Sequence, residues 1–390
     1  MIYFLVIDCV LFYSAWCRPK QSKVLYTTAI IVLWFLIAFR NIDLGGSDAQ
    51  VYQEWFHTAV PKLLQFEWNP FVFQREIQDK WGFGWLFTLL ASVIKTIVPT
   101  YEFFQVVYVT LSFGILILII EDMQLKQQEK GLFLFAYLSQ QMIWFFCVLL
   151  RQNLANLVVW FVLEHKFKKH ALIKKALLLY LATLLHTSAY IAIAAIIALW
   201  VIRKLPARKI VPGSLLIGVI VFFAGKRLIS YILYFMANYV DTRYSMYLNA
   251  AGESSNAINF ILRLCFVVLL YLEFTRNRKD GSEKYLYIGV MGFLIGSIPH
   301  ALVVRMTEYF AIANSYAVAK YGKIFERKEN GTIVACVIFI MFLIVFARFL
   351  NMNADFMRHY ELFFLRENDF EMLHNAEIEC AWNIYGSIAQ

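Results

Sequence analysis

Residues 191–201 read IAIAAIIALWV, a run without one polar side chain. Similar apolar runs fill 30–39 and 113–120, and runs that approach ~20 residues can cross a bilayer as helices. Across 390 residues, 61% are hydrophobic and 16% are charged, whereas soluble domains carry about 25% charged residues. The chain is therefore predicted to be an all-α polytopic membrane protein. Neither a soluble enzyme nor a β-barrel, whose strands alternate apolar and polar residues, fits this pattern.

Basic connections between the apolar runs predict the topology, because cytoplasmic loops are enriched in Lys and Arg. The connections assigned to the cytoplasm are 18–23, 165–175, 203–209, 276–284 and 320–328. The first helix is then retained with its N-terminus outside. One membrane-embedded domain is predicted over 1–350, with outer connections at 40–80 and 225–256 and an outer tail at 351–390. Four apolar segments between 80 and 165 would end on the wrong side, so one of them, either 82–98 or part of 132–164, must be re-entrant or fail to cross.

The net charge of +9 and the six cysteines carry little further information. The positive-inside trend explains most of the charge, and the basic clusters lack interleaved aromatic residues for stacking on bases. No nucleic-acid partner is predicted. The cysteines lack metal-ligand spacing and are expected to act as small buried hydrophobic residues.

Both predicted outer connections are rich in aromatic residues. The first holds an amphipathic stretch, 52–60, followed by Phe66, Trp68, Phe71 and Phe73. The second carries five tyrosines between 231 and 247. Two interpretations stay open: an aromatic belt at the membrane interface, or a surface that stacks sugars or guides a lipid.

Several ionisable residues interrupt or border the apolar runs, and all of them map to the predicted outer face. They are Arg40, Arg151, His186, Arg263, His300 and Arg305. A charge in a membrane segment is costly unless it is paired or hydrated, so such residues are functional candidates. A single arginine could instead snorkel to lipid headgroups. As a set they predict an outward-facing pocket for a phosphorylated lipid, since guanidinium groups match phosphate oxygens bidentately.

The segment 40–48 reads RNIDLGGSD and offers two carboxylates on a glycine-containing loop. Asp43 and Asp48 could act as a general base or bind a sugar hydroxyl; a simple turn with an aspartate cap is the alternative. Two aspartates are too few for a dedicated metal site. No metal and no cofactor are predicted.

Five short motifs resemble those of the EpsG family of membrane proteins in order and spacing from about residue 1 to 350. They are Arg40…Asp43…Gly45-Gly46-Ser47-Asp48…Tyr52, Lys80-Trp81-Gly82-Phe83, Arg151-Gln152-Asn153-Leu154-Ala155, His186-Thr187-Ser188-Ala189 and Arg305…Tyr309-Phe310. Ser47 stands where the family usually has Thr, and the family's acidic residue just before Gly82 is absent, with Asp79 the nearest.

The resemblance implies a GT-C-like membrane glycosyltransferase with about 11–13 transmembrane or re-entrant helices and short amphipathic helices on its outer face. Its role would be that of a Wzy polymerase of capsule, exopolysaccharide or O-antigen. Such enzymes join undecaprenyl-diphosphate-linked oligosaccharides at the outer, periplasmic face of the bacterial inner membrane. The implied partners are the lipid-linked donor and acceptor, membrane lipids and a chain-length regulator.

This chemistry assigns roles to the candidate residues. The catalytic candidates are Asp43 and Asp48 as general base, with His186 as the runner-up. The diphosphate-binding candidates are Arg40, Arg151 and Arg305. The substrate-binding candidates are Tyr52, Gln152, Asn259, Arg263, His300 and Tyr309.

Two other functions stay open. A transferase that uses a polyprenyl-phosphate sugar donor would need the same kind of outer phosphate pocket. A flippase or transporter of a lipid-linked saccharide is the second alternative. Alternating-access carriers usually show internal repeats and sites at the membrane midplane, whereas this sequence shows no repeat and its polar residues gather near one face.

Overall fold

A computed structural model describes residues 2–42, 46–76, 82–202, 206–239, 257–276, 283–298 and 306–321, with short stretches at 339–340, 342–344, 346–347 and 362–363. These residues are almost entirely helical, and the described part of the chain holds no β-strand. The predicted all-α class is confirmed.

The helices are numbered in chain order. They are α1 Ile2–Ser14, α2 Pro19–Ala38, α3 Gly46–Thr58, α4 Pro70–Glu76, α5 Trp85–Ile97, α6 Tyr101–Asp122, α7 Gln127–Tyr137, α8 Ile143–Cys147, α9 Leu150–Glu164, α10 Ala171–Leu185, α11 Ala189–Ile202, α12 Ala207–Tyr239, α13 Ala257–Arg276, α14 Glu283–Gly296 and α15 Ala311–Tyr321. Single 3₁₀ turns lie at Leu63–Gln65 and Glu308–Phe310, and a π turn, Leu138–Met142, joins α7 to α8.

Three of the described helices are long and apolar enough to cross a membrane: α2, α6 and the Ala207–Gly225 part of α12. Other apolar helices, α1 and α5 among them, are shorter. The structure therefore agrees with a membrane protein. The number of crossings and the GT-C-like arrangement stay predictions.

Helix α12 extends further than the hydropathy pattern indicates. It runs for 33 residues, and the sequence after Gly225 contains neither Gly nor Pro up to Tyr239. The predicted outer connection at 225–256 thus begins as a helix, with Tyr231 and Tyr234 exposed. Residues 240–256 lie outside the described residues.

The described residues group into two compact units. The first draws on 1–131, 138–190 and 336–390, and the second on 132–137 and 191–335. Both units draw on the predicted domain 1–350, which stays a prediction. Of the predicted tail 351–390, the structure describes Leu362 and Phe363.

Helix ends of the first unit gather at two opposite levels. At one, called the Cys17 end, Gln128 Nε2 donates to the Cys17 carbonyl at 3.4 Å, and Nδ1 of His165 lies 2.9 Å from Asp122 Oδ2. At the other, called the Arg40 end, Gln105 Nε2 donates to the carbonyls of Ala38 and Arg40, both at 2.9 Å. Since Gln105 and Asp122 lie near opposite ends of α6, these two levels are the two ends of the unit.

An aromatic cluster packs at the Arg40 end. Trp55 of α3 lies 4.4 Å from Phe83 and 5.5 Å from Phe87 of α5, ring centroid to centroid. Phe56 lies 5.3 Å from Phe104 of α6. Each fully buried aromatic ring contributes about 2 kcal/mol, so this cluster fixes the amphipathic helix α3 against α5 and α6.

A segment from the C-terminal region returns to the Arg40 end. Leu362 forms an isolated antiparallel bridge with Arg40, and the Phe363 N–H donates to the Phe39 carbonyl at 3.0 Å. The Phe39 and Phe363 rings stack with centroids 5.7 Å apart. The end of α2 is therefore paired with residues more than three hundred positions later in the chain.

The second unit packs α12, α13 and α15 around α14. Tyr285 of α14 stacks on Tyr316 of α15 with centroids 3.5 Å apart. A Cβ on Gly292 would lie 2.7 Å from Phe310 Cβ, so the 3₁₀ turn approaches α14 where only glycine leaves room.

Candidate functional site

Arg151 lies at the start of a new helix. The chain leaves α8 after Cys147, Leu149 adopts non-helical angles (φ −97°, ψ 51°), and α9 begins at Leu150. Tyr108 of α6 supports this turn, because its hydroxyl donates to the Leu150 carbonyl at 3.0 Å. First-turn N–H groups have no intrahelical acceptor and favour negative charge nearby. The break therefore places a cationic side chain at the positive end of a helix.

Three groups hold the guanidinium of Arg151. Its Nε donates to the Tyr52 hydroxyl at 3.2 Å, and its Nη1 donates to the Gly82 carbonyl at 2.6 Å. Its Cζ lies 4.0 Å from the centroid of the Phe83 ring, within the range of a cation–π interaction. Tyr52 in turn stacks on Phe83 at 5.2 Å. The side chain is fixed in one orientation.

The segment 82–84 connects Arg151 with the end of α10. Gly82 has φ +63°, a conformation that favours glycine, and presents its carbonyl to Arg151. A Cβ on Gly84 would lie 2.4 Å from the Leu184 carbonyl oxygen and 2.7 Å from that of Leu185. The segment thus fits between α9 and α10 because it contains glycine at both positions.

Arg151 keeps its positive charge unmatched within the described residues. No carboxylate there forms an ion pair with it, and its Nη2 makes no hydrogen bond to a described residue. The residue is half-buried. An oriented guanidinium whose Nη2 edge no described residue occupies, beside a helix N-terminus, is suited to bind a phosphate oxygen.

Arg40 is placed very differently. It is 1% exposed; its Nη1 donates to the Ile37 carbonyl at 2.8 Å and its Nη2 to the Cys147 carbonyl at 3.3 Å. Its Nε has no partner among the described residues. Because the guanidinium joins the end of α2 to the end of α8, the geometry favours a positioning role for Arg40 over direct contact with a ligand.

Asp48 lies in the first turn of α3, four residues before Tyr52. Residues four apart share one face of a helix, so Asp48 lies on the face of α3 that carries the contact to Arg151. It is partly exposed. Asp43, the other predicted base, lies outside the described residues.

His186 follows the last residue of α10. Its Nδ1 accepts the backbone N–H of Ser188 at 3.1 Å and lies 2.6 Å from the Ser188 hydroxyl. Because a backbone N–H only donates, Nδ1 is unprotonated and the neutral ring carries its proton on Nε2. This geometry favours His186 as a hydrogen-bond donor through Nε2, while its role as a base stays a prediction.

The second unit contains a separate arginine with similar partners. Arg263 Nη1 donates to the Gly296 carbonyl, and Nη2 donates to the Thr307 hydroxyl at 3.3 Å. A Cβ on Gly296 would lie 2.7 Å from Arg263 Cζ, so any larger residue there would displace the guanidinium. Tyr309, in the neighbouring 3₁₀ turn, is buried.

The remaining predicted site residues are only partly described. His300, Arg305 and the side chain of Asn259 lie outside the described residues. Gln152 is buried beside Arg151. Within the described part of the chain, no group of three or more His, Cys, Asp or Glu side chains could hold a metal ion.

Sequence reasoning did not single out Gly84, Gly296 or Thr307, and it noted Phe83 only as part of a motif. Their roles depend on contacts between distant segments, such as Gly84 against Leu184. The isolated glycines in apolar surroundings were the one available signal of close backbone approach.

Fold and site together define an all-helical membrane protein with an oriented, cationic anion-binding candidate at one end of its first unit. The model of the EpsG family matches residues 23–362. The chain belongs to the EpsG family, as the motifs predicted. No curated protein and no solved structure shows significant similarity to it. The family and the apolar helices point to a membrane protein of polysaccharide biosynthesis.

Proposed function

We propose that this protein is a GT-C-like glycosyltransferase that polymerises undecaprenyl-diphosphate-linked oligosaccharide repeat units at the outer face of the bacterial inner membrane. The glycan is transferred from its lipid diphosphate to a sugar hydroxyl of the next lipid-linked unit. The observation that carries this proposal is the environment of Arg151, a fixed guanidinium without a carboxylate partner among the described residues.

The leaving group explains why such an arginine is useful. As the bond between the anomeric carbon and the phosphate oxygen breaks, the electron pair stays on the diphosphate. A fixed cation at that oxygen stabilises the developing charge without reorganisation, which is often the largest catalytic effect. Arg151 supplies this cation. Arg40 positions the α8–α9 break through its hydrogen bond to the Cys147 carbonyl, and Arg305 is proposed as a further diphosphate contact.

The acceptor hydroxyl loses a proton as its oxygen bonds to the anomeric carbon. We assign this proton to the carboxylate of Asp48, on the same face of α3 as Tyr52, with Asp43 as the neighbouring alternative. His186 would donate from Nε2 to a sugar or phosphate oxygen. Gln152, Asn259, Arg263, His300 and Tyr309 are proposed to contact substrate.

The test uses lipid-linked oligosaccharides extracted from a strain that lacks this protein and so accumulates them. Purified protein in nanodiscs is incubated with this extract without nucleotide sugar, and the products are resolved on a gel. We expect a ladder of longer lipid-linked glycans that disappears in Arg151→Ala and in Asp48→Asn. Arg18→Ala, an exposed arginine at the start of α2, is the matched control and should leave the ladder unchanged.

Two outcomes would overturn this function. If wild-type protein makes no ladder but moves the lipid-linked saccharide across proteoliposomes, the protein is a flippase. If it attaches single sugars from a polyprenyl-phosphate donor instead, it is a transferase of another kind.

A further inference from the structure

Helix α5 begins and ends at the same end of the first unit. It has 13 residues, a length of ~20 Å, whereas the hydrocarbon core of a bilayer is ~30 Å thick. Length alone does not decide whether it crosses, because α9 is only slightly longer with 15 residues. The contacts at its two ends decide it.

The C-terminal end of α5 is tied to the end of α3. Lys95 Nζ donates to the carbonyls of Phe56, His57 and Val60 at 2.6, 3.0 and 2.8 Å, and Thr96 Oγ1 accepts the Leu63 N–H at 2.9 Å. Helix α6 begins four residues after Ile97, and its Gln105 binds the Ala38 and Arg40 carbonyls. This end of α5 therefore lies at the Arg40 end.

The N-terminal end of α5 lies there too. Gly84, just before the helix, packs against the Leu184 carbonyl at the end of α10, and Gly82 binds Arg151. Trp85 Nε1 donates to the Glu67 carbonyl at 3.0 Å. A stretch of a few residues, from Leu63 to Glu67, thus contacts both ends of α5 and runs alongside it.

Helix α9 provides the contrast. Its first turn carries Arg151, near Tyr52, and it ends at Glu164, directly before His165, which contacts Asp122 at the Cys17 end. Helix α6 also runs between these two ends. The segment formed by α7 and α8 begins near Gln128 at the Cys17 end and finishes at Cys147 at the Arg40 end. Helix α6, the α7–α8 segment and α9 therefore each pass from one end of the unit to the other. Helix α5 does not.

The segment alongside α5 exposes apolar side chains. Leu64 is 97% exposed, Phe71 74% and Trp68 60%, while Phe66 and Phe73 turn inward and stack at 5.9 Å. Ile97, next to the Thr96–Leu63 contact, is 69% exposed. Single exposed apolar residues are ordinary, but four that include a Trp, in the segment from Leu64 to Phe71 and at the adjoining end of α5, are typical of a membrane–water interface.

We propose that α5 stays at the Arg40 side without crossing the membrane, and that Leu64, Trp68, Phe71 and Ile97 form an interfacial face that contacts the lipid headgroup–acyl boundary of that leaflet. Lipid is the occupant because exposed apolar side chains of a membrane protein face lipid, and this face continues along α5, where Val93, four residues before Ile97 on the same side of the helix, is also exposed. Three crossings between 80 and 165 then bring the basic connection 165–175 to the same side as 18–23, as the charge pattern requires.

Cysteine labelling with a membrane-impermeant maleimide in right-side-out vesicles tests the path of α5. We expect Lys62→Cys and Thr100→Cys, both at exposed positions, to react fully without permeabilisation, and Lys126→Cys at the Cys17 end to react only after it. The unsubstituted protein, with its own six cysteines, is the blank. If α5 crossed, Thr100→Cys would be protected and Lys126→Cys would react, so the inverse pattern would overturn the proposal.

A second measurement tests the interfacial face. Bimane attached to Leu64→Cys or Phe71→Cys in proteoliposomes should be quenched by lipids that carry a nitroxide near the headgroup, and little by aqueous iodide. Lys62→Cys, two residues from Leu64, is the matched control and should show the opposite preference. If iodide quenches bimane at 64 and 71 as strongly as at 62, lipid contact is refuted. If bimane at 64 and 71 is shielded from iodide only after lipid-linked oligosaccharide is added, lipid contact is also refuted and the face is a glycan surface.

Discussion

Arg40 and Arg151 lie near the same break between α8 and α9, yet the protein uses them in opposite ways. Arg40 is buried and donates hydrogen bonds to the backbone carbonyls of Ile37 and Cys147. Arg151 is half-buried, stacks on the Phe83 ring, and its Nη2 has no hydrogen-bond partner among the described residues.

The difference shows that an arginine in an apolar stretch has two distinct uses. Where its N–H groups donate to backbone carbonyls, it connects helix ends whose last C=O groups lack intrahelical donors. Where an aromatic ring and one carbonyl fix it while donors stay free, it can present charge to a ligand. Substitutions at the two positions should therefore separate stability from activity.

The largest effect is expected for Arg40→Ala. The change removes two charge-assisted hydrogen bonds and leaves the Cys147 carbonyl buried, so the free energy of unfolding should fall by about 4 kcal/mol. The measurement is the yield of monodisperse protein and its thermal unfolding in detergent. Normal stability together with lost activity would show that Arg40 contacts substrate after all.

Arg151→Ala should behave in the converse way. We expect thermal unfolding close to wild type and a polymerisation rate reduced ~100-fold, which corresponds to about 3 kcal/mol of transition-state stabilisation. Arg151→Lys should recover little, because a lysine cannot keep the contacts to Tyr52 and Gly82 and also present a donor edge. Loss of folded Arg151→Ala protein would contradict the proposed division of roles.

Gly84→Ala tests the packing of the segment 82–84. The added Cβ would meet backbone oxygens of Leu184 and Leu185 at 2.4 and 2.7 Å, and we expect a loss of about 2 kcal/mol in stability. Gly114→Ala in α6 is the matched control, because nothing lies within 4 Å of its Cβ; it should be neutral or stabilising. Equal melting temperatures for the two variants would rule out this close approach.

The smallest effect is expected for Tyr52→Phe. The ring still stacks on Phe83, but the acceptor of the Arg151 Nε–H is lost, at about 1 kcal/mol. The polymerisation rate should fall about fivefold with unfolding unchanged. A Tyr52→Phe variant with a raised KM for the lipid-linked acceptor and an unchanged kcat would assign Tyr52 to substrate binding rather than to the positioning of Arg151.

The apolar runs were sufficient to predict the all-α class and the membrane class, because both depend on the length and polarity of local segments. Arg151 was predictable as a candidate because apolar residues flank it on both sides. The burial of Arg40 was not, because its partner at Cys147 lies 107 positions away. For the same reason the sequence left two candidates, 82–98 and part of 132–164, for the segment that does not cross. Hydropathy reports a segment's length and polarity, but not which segments contact its two ends.

The pairing of Leu362 and Phe363 with Arg40 and Phe39 has a consequence for biosynthesis. The backbone partners of residues 39 and 40 leave the ribosome more than three hundred residues after them. The Arg40 end can therefore reach its final hydrogen bonding only after residue 363 has been synthesised. Chains that terminate before residue 362 are expected to insert normally and yet remain more sensitive to protease at this end.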